Sequence, residues 1–482
     1  KFIILAAWLV TLTAHAQLND EENQQLKTIF FESRKVISEV MKEFPIDEKL
    51  VDFVTHSGAR TDFQLQKVYQ KCISAETETI TIGAVGGSIT TGVKLGNEFA
   101  YPSILADYIK NMCPRVKLKV VNASQNATGS LTTGLCLDSY FNGEEIDIFL
   151  VDFTLNDGIK YKYSGKQDNS PYELLIRNAM THGFISQPAI FGIYFWGNGF
   201  KRNYTTQKKH SEILTNYNIA AISMNDMVWR FINRKVIMYD TKVKIVIDGH
   251  HPNKSIHKLT AGMVSMYIAR IFLKYAIEDA KNIKHEDGGL FQNLPAPINK
   301  NLERFDFEAD RSFRCEMSSL PSRIPIVFSE NQGWTEKLMV KPIGSNADTL
   351  VCYIPETSDA FAIWEVEVVK DGIVIICNCI TTGGALTSPP AFQVQVETQG
   401  NNGYQTKSFW HQLRTRNLIG RIGECFEIRD PLISNPGIYR LKITPSEQCL
   451  DEWEVANPYE LNPPDVVPCN QIKVGIRALV VM

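Results

Sequence analysis

From about residue 75 to residue 276 the chain alternates short apolar runs with longer stretches of helical period. That alternation predicts a mostly parallel sheet covered by helices. Five strands are expected, at Thr79 to Val85, Val116 to Val121, Ile146 to Phe153, Pro188 to Phe195 and Val243 to Ile247. Each is rich in Ile, Val or Phe, as a strand buried on both faces must be. The stretches Phe99 to Met112, Tyr172 to Thr181, Glu212 to Phe231 and Lys258 to Ala280 are expected as helices. Asp20 to Met41 reads as an amphipathic helix packing outside the sheet.

After Asp279 the composition shifts to Lys, Asp, Gly, Asn and Pro, and residues 285–301 have neither period nor apolar density. They are expected to be a linker. Beyond it, residues 302–482 alternate in steps of two, as in Phe361 to Val369 and Gly372 to Ile380, with Lys370-Asp371 and Gly372 expected to turn a hairpin. Gly437 to Thr444 and Gln471 to Met482 look similar. With no comparable helix-period stretch between them, a β-sandwich is expected.

The N-terminal residues bear on compartment. Lys1, the apolar run Phe2 to Leu12 and Ala14-His15-Ala16 have the charge, length and small residues of a secretory leader, so residues 1–16 are expected to be a signal peptide and the protein to be secreted. The run is shorter than the roughly 20 apolar residues a bilayer span needs. No membrane span is expected in the mature chain. The 50 basic and 53 acidic residues give a formal charge of −3, which offers no field for holding nucleic acid. Ten cysteines without paired CxxC spacing fit disulfides better than a metal site, and seven of them follow residue 300.

The chemistry lies at the expected strand ends. Gly86-Gly87-Ser88 follows the first strand, at the edge where ligands bind α/β sheets. Glycines there permit a tight turn and leave room for a substrate beside the hydroxyl, although the tripeptide alone is more often a plain loop. Asp248-Gly249-His250-His251-Pro252-Asn253 follows the last strand. An aspartate and a histidine three residues apart can touch in a turn, the histidine taking a serine proton and the carboxylate fixing its tautomer. The alternative is a polar turn with surface or metal-binding histidines. Asn122 to Ser130 and Asp152 to Asp157 close the second and third strands, where amides can face an oxyanion.

These four blocks, in order, resemble the SGNH hydrolase superfamily, the GDSL-like esterases, over roughly residues 78–275. Gly-Gly-Ser in place of Gly-Asp-Ser resembles a divergent branch of that family, as do NATGS and the segment from His210 to Trp229. The resemblance implies a flavodoxin-like three-layer α/β/α domain over residues 17–284. It implies Ser88 as nucleophile, His251 as base and then acid, Asp248 as its partner, and His250 as an intervening residue. The oxyanion donors it implies are the Ser88 amide, the Asn156 side chain and the amide of Ala127, which stands where the family has glycine; Gly129 is the fallback. The order Ser, Asp, His also occurs in α/β-hydrolases, but those hold serine in GxSxG, and position 90 is Thr90.

The function expected is hydrolysis of carboxylic esters, with O-acetyl groups of carbohydrates preferred and short acyl esters second. The substrate is thus a small-molecule or polysaccharide ester, and the β domain is expected to bind substrate or a surface. Acyl transfer by the same triad and a non-catalytic extracellular binding role are the alternatives. No organic cofactor or metal is implied: His250, His251 and His257 lack a further ligand at a persuasive spacing, and Pro252 interrupts any helix that would align them. Of the sequons at Asn122, Asn126, Asn203 and Asn253, only Asn203 lies clear of the blocks and is a candidate for glycosylation. Trp196 reads either as a pocket wall or as a packed loop aromatic, and His210 as a helix-surface residue.

Overall fold

A computed structural model describes residues 20–44, 46–74, 76–126, 128–141, 143–158, 169–181, 184, 186–197, 201, 204–233, 245–248, 250–281, 283, 285 and 293–302. Beyond these it describes 314–317, 328–332, 334–339, 350–355, 361–368, 374–380, 385–386, 391–400, 403–412, 425–428, 437–445, 466–467 and 474–481. The expected leader, residues 1–16, lies outside the described residues.

The chain forms two compact units, one drawn from Lys1–Asn126, Glu144–Ile159 and Ala179–Phe305, the other from Ala127–Gly143, Lys160–Asn178 and Asp306–Met482. In the first unit the strands are β1 (Thr55–His56), β2 (Thr79–Gly86), β3 (Lys117–Asn122), β4 (Ile148–Asp152), β5 (Ala189–Tyr194) and β6 (Ala220–Ser223). They form one sheet in the order β1-β6-β5-β4-β2-β3, parallel throughout except for the short edge strand β1. The chain steps from β2 outward to β3, then crosses back to place β4 on the other side of β2. The carboxyl end of β2 is therefore the switch point of an α/β sheet, where the connections diverge and leave a crevice.

The helices of this unit begin with α1 (Asp20–Glu43), α2 (Glu48–Val54) and α3 (Ala59–Ile73), followed by the single turn α4 (Ser88–Thr91) and α5 (Tyr101–Met112). On α1 the buried residues Leu26, Ile29, Phe30, Ser33, Val36 and Val40 recur at three and four, so one stripe faces the core. A disulfide joins Cys72 near the end of α3 to Cys113 just past α5, and Cys136 is also disulfide-bonded. In the second unit, α6 (Ser130–Leu135), α7 (Leu137–Phe141) and most of α8 (Ser170–Thr181) precede the β-rich part.

The stretch expected as one helix from Glu212 to Phe231 is instead α9 (Tyr204–Asn216), strand β6 and α10 (Met224–Asn233). Asn218 takes a left-handed φ of 54°, and the Ile219 amide donates to Leu214 O, a helix-ending pattern. Ser223 then caps α10: its Oγ accepts from the Asp226 amide and donates to the Asp226 carboxylate. The expected fifth strand at Val243 to Ile247 is not a sheet strand over its described part. Val246 bridges only Pro252, because the backbone of Ile245 and Ile247 pairs locally with Asn253 and His251. Helix α11 (Lys254–Ala280) follows, capped by the Asn253 side chain accepting from the Ile256 amide.

The C-terminal residues form a β-sandwich. Its strands are β7 (Arg314–Met317), β8 (Glu330–Gln332), β9 (Trp334–Met339), β10 (Leu350–Pro355), β11 (Phe361–Val368), β12 (Val374–Ile380), β13 (Ala385–Leu386), β14 (Ala391–Gly400), β15 (Gly403–Gln412), β16 (Cys425–Ile428), β17 (Gly437–Pro445), β18 (Val466–Val467) and β19 (Val474–Val481). One antiparallel sheet runs β15-β14-β17-β11-β8; the other runs β16-β12-β19-β10-β9, with β7 also on β19. Contrary to the expected hairpin, β11 pairs with β17 and β8, whereas β12 pairs with β19 and β16 in the other sheet. Alternation reveals the faces of a strand, here Ala362, Trp364 and Val366 buried on one side of β11 with Ile363 buried on the other, but does not name its partner.

Candidate active site

Ser88 opens α4 directly beyond β2, and Gly87 is its N-cap. Two close approaches explain the glycines. A Cβ at Gly86 would lie 2.3 Å from Thr90 Oγ1 and 2.7 Å from Asp152 O, and one at Gly87 would lie 2.6 Å from Asn156 Nδ2. The turn thus packs its bare backbone against the end of β4 and against the Asn156 amide.

The turn tipped by Asp248 brings His251 to Ser88. His251 Nε2 is 2.8 Å from Ser88 Oγ, and His251 Nδ1 is 2.8 Å from Asp248 Oδ2. The other Asp248 oxygen accepts from the backbone N–H groups of His250 and His251, both at 3.0 Å, and Lys94 Nζ lies 3.0 Å from Oδ2. Burial opposes the Asp248 charge, but the two backbone donors, the imidazole and the Lys94 ammonium outweigh it and hold the carboxyl well below the usual range. The Trp196 indole N–H donates to His250 O at 2.7 Å, and the residue is fully buried. Trp196 is therefore a packed brace for the histidine turn.

Asn156 is buried in the helical residues 154–158 beyond β4. Ala127 lies outside the described residues. Gly129 is the N-cap of α6 in the second unit, with φ −97°. His210, expected on a helix surface, is 1% exposed, with Nε2 3.2 Å from the buried carboxylate of Asp157. His257 is also buried; its Nδ1 accepts from the Tyr101 amide, and burial together with the nearby His251 charge pushes its pKa down to about 4. Asn122 Nδ2 donates to Thr90 O and Asn253 caps α11, so both sequon side chains are engaged in the fold; Asn203 lies outside the described residues.

Asp248, His250 and His251 place ligand atoms within 4.8 Å of one another, the geometry a metal ion could use. Both His251 nitrogens already face Ser88 and Asp248, and Lys94 occupies the carboxylate side that a cation would need. Sequence names Asp152 only as the start of the block Asp152 to Asp157 and Thr90 only as the residue that breaks GxSxG, and it assigns Lys94 no role. The one signal for Asp152 was a carboxylate closing the otherwise apolar run Ile148–Asp152.

The fold, a mostly parallel α/β sheet followed by a β-sandwich, is shared with a solved two-domain esterase. No protein-family model and no curated protein sequence matches the chain. Among solved structures, a two-domain esterase active on acetylated mannans is similar at 18% identity and a TM-score of 0.50, over 87% of this chain and 94% of that one. Its structure co-crystallized with mannopentaose gives 17% identity and a TM-score of 0.51 over the same shares. An acetylxylan esterase from Geobacillus stearothermophilus matches at 14% identity and a TM-score of 0.29, over 42% of this chain and 95% of that one. No helix among the described residues is long and apolar enough to cross a membrane.

Proposed function

We propose that the chain is a secreted serine esterase that removes O-acetyl groups from a polysaccharide. The observation that carries this reading is the run of two 2.8 Å contacts from Ser88 Oγ through His251 to Asp248, at the switch point of the sheet. His251 Nε2 takes the Ser88 proton as Oγ attacks the acetyl carbonyl. The oxyanion so formed is held by the Asn156 side-chain amide and the Ser88 backbone N–H. As the tetrahedral intermediate collapses, His251 returns the proton to the departing sugar oxygen, leaving an acetyl-Ser88 ester. Water then gives its proton to His251 and attacks that ester; as the second tetrahedral intermediate collapses, His251 returns the proton to Ser88 Oγ and acetate leaves. Asp248 stays ionised, fixes the imidazole with its Nδ1 proton inward and offsets the imidazolium charge.

The polysaccharide part of the reading draws on the likeness to the two-domain mannan esterase, which extends over both units of the chain. The Cys72–Cys113 disulfide fits an oxidising compartment. Release of acetate from acetylated mannan and acetylated xylan tests the proposal, with Ser88→Ala as control. Acetate release from either polymer, lost in Ser88→Ala, is the expected result. Hydrolysis of simple aryl acetates with neither polymer attacked would remove the polysaccharide assignment, and release appearing only when a sugar acceptor is supplied would point to acyl transfer.

A further inference from the structure

Behind Ser88 lies a buried polar cluster that the reaction above does not use. Asp152, 3% exposed at the end of β4, accepts from Thr90 Oγ1 at 3.0 Å through Oδ2 and from Thr154 Oγ1 at 3.4 Å through Oδ1. Thr90 is two residues beyond Ser88 on the same turn of helix, and Thr154 is two residues before Asn156. Each hydroxyl is held a second time. Tyr101 OH lies 3.1 Å from Thr90 Oγ1, and Thr154 Oγ1 accepts from the Phe195 amide at 3.0 Å and shares its proton between Asp152 Oδ1 and Ile193 O, each at 3.4 Å. All four side chains in the cluster are buried, where an unbalanced carboxylate is expensive and is retained only with partners. Burial pushes the Asp152 carboxyl up to about 7 in spite of the two hydroxyl donors.

We propose that Asp152 is a positioning residue that ties the Ser88 helix to the turn carrying Asn156, so that nucleophile and oxyanion donor are presented to one carbonyl in fixed register. The inference rests on the esterase reading of Ser88 and Asn156. The carboxylate touches neither substrate nor reacting atoms; it acts through Thr90 and Thr154. The adjoining backbone confirms how little play the arrangement has, since a Cβ at Gly86 would strike both Thr90 and Asp152. Loss of the tie leaves the binding surface for the substrate in place but lets Ser88 and Asn156 drift relative to each other. The signature is a fall in kcat without a matching rise in KM.

The test compares the whole chain with Asp152→Asn, Thr90→Val and Thr154→Val on an aryl acetate, each also in an Asn156→Ala background. Asp152→Asn is expected to lower kcat about tenfold to a hundredfold, the scale of a displacement near 1 Å, with KM unchanged. In the Asn156→Ala background the same change is expected to lower kcat by no more than about twofold, because the register it maintains no longer matters. Should Asp152→Asn not fold, Thr90→Val and Thr154→Val carry the same test: each lowers kcat, and together they lower it no further than the stronger one alone. An active wild type with folded variants of unchanged kcat, or equal losses in both backgrounds, overturns the positioning role alone. A wild type that neither hydrolyses the ester nor labels with a fluorophosphonate overturns the esterase reading and this inference with it.

Discussion

His251 Nε2 lies 2.8 Å from Ser88 Oγ although 163 residues separate the two in sequence. The distance is set from both sides. Ser88 is fixed by a glycine turn pressed against β4, and His251 by a local backbone ladder in which Ile247 donates to His251 O and Asn253 donates to Ile245 O. Neither side relies on a long flexible loop among the described residues.

Gly87→Ala is expected to abolish most activity while sparing the fold. At φ −87° alanine meets no backbone penalty, so the effect arises from the Cβ displacing Asn156. Loss of one oxyanion donor lowers turnover about 10²–10³-fold, and crowding a packed site costs about 1–3 kcal/mol. Steady-state kinetics and denaturant unfolding of the variant separate the two; an unchanged kcat would remove Asn156 from the mechanism.

Asp248→Asn leaves an oxygen for the His250 and His251 amides, but its NH2 group facing Nδ1 favours the wrong imidazole tautomer. In serine proteases the corresponding change lowers kcat by about 10⁴. A loss of comparable order in aryl ester hydrolysis is expected, with the fold retained by circular dichroism. A loss below about tenfold would show that Asp248 does not orient His251.

Stability should fall with pH on account of Asp152. Its carboxyl is raised from 3.8 to about 7, chiefly by burial. Between those values the folded chain holds a proton that the unfolded chain releases, so the stabilisation is full below 3.8 and is lost as pH rises through about 7. Asp152→Asn cannot titrate, and its thermal midpoint relative to wild type is expected to rise from about pH 4 to about pH 8. A constant difference across that range would contradict the assignment.

The Cys72–Cys113 bridge closes a sequence separation of 41 residues between α3 and α5. Chain-entropy reasoning gives about 4 kcal/mol for a loop of this size. Cys72→Ser with Cys113→Ser should lower the urea midpoint accordingly without changing kcat, since Cys72 and Cys113 lead into the amino ends of β2 and β3, whereas Ser88 follows the carboxyl end of β2.

Much of this architecture is legible in the residues. Apolar runs marked β2, β4 and β5 because strands buried on both faces leave no polar alternation, while the edge strand β3 (Lys117–Asn122) alternates exposed and half-buried residues; the serine, asparagine and Asp-His blocks fall at chain positions that the fold brings to one sheet edge. Strand β6 escaped because Ala220–Ser223 is only four residues long and sits between two helical segments; its markers were the left-handed Asn218 and the Ser223 cap, which are visible only once a break is suspected. The partners of β11 were hidden because period two specifies a face and not a neighbour. Burial of His210 against Asp157 and the ties of Asp152 and Lys94 depend on contacts far apart in sequence, which no local spacing announces.

The central claim is that Ser88 is a nucleophile activated by His251. Intact-mass spectrometry after fluorophosphonate treatment, with peptide mapping of the adduct, tests it most directly. One adduct per chain located on Ser88, absent from Ser88→Ala and strongly slowed in His251→Gln, is the predicted result. Absence of an adduct on the folded wild type, or equal labelling of Ser88→Ala, would contradict it.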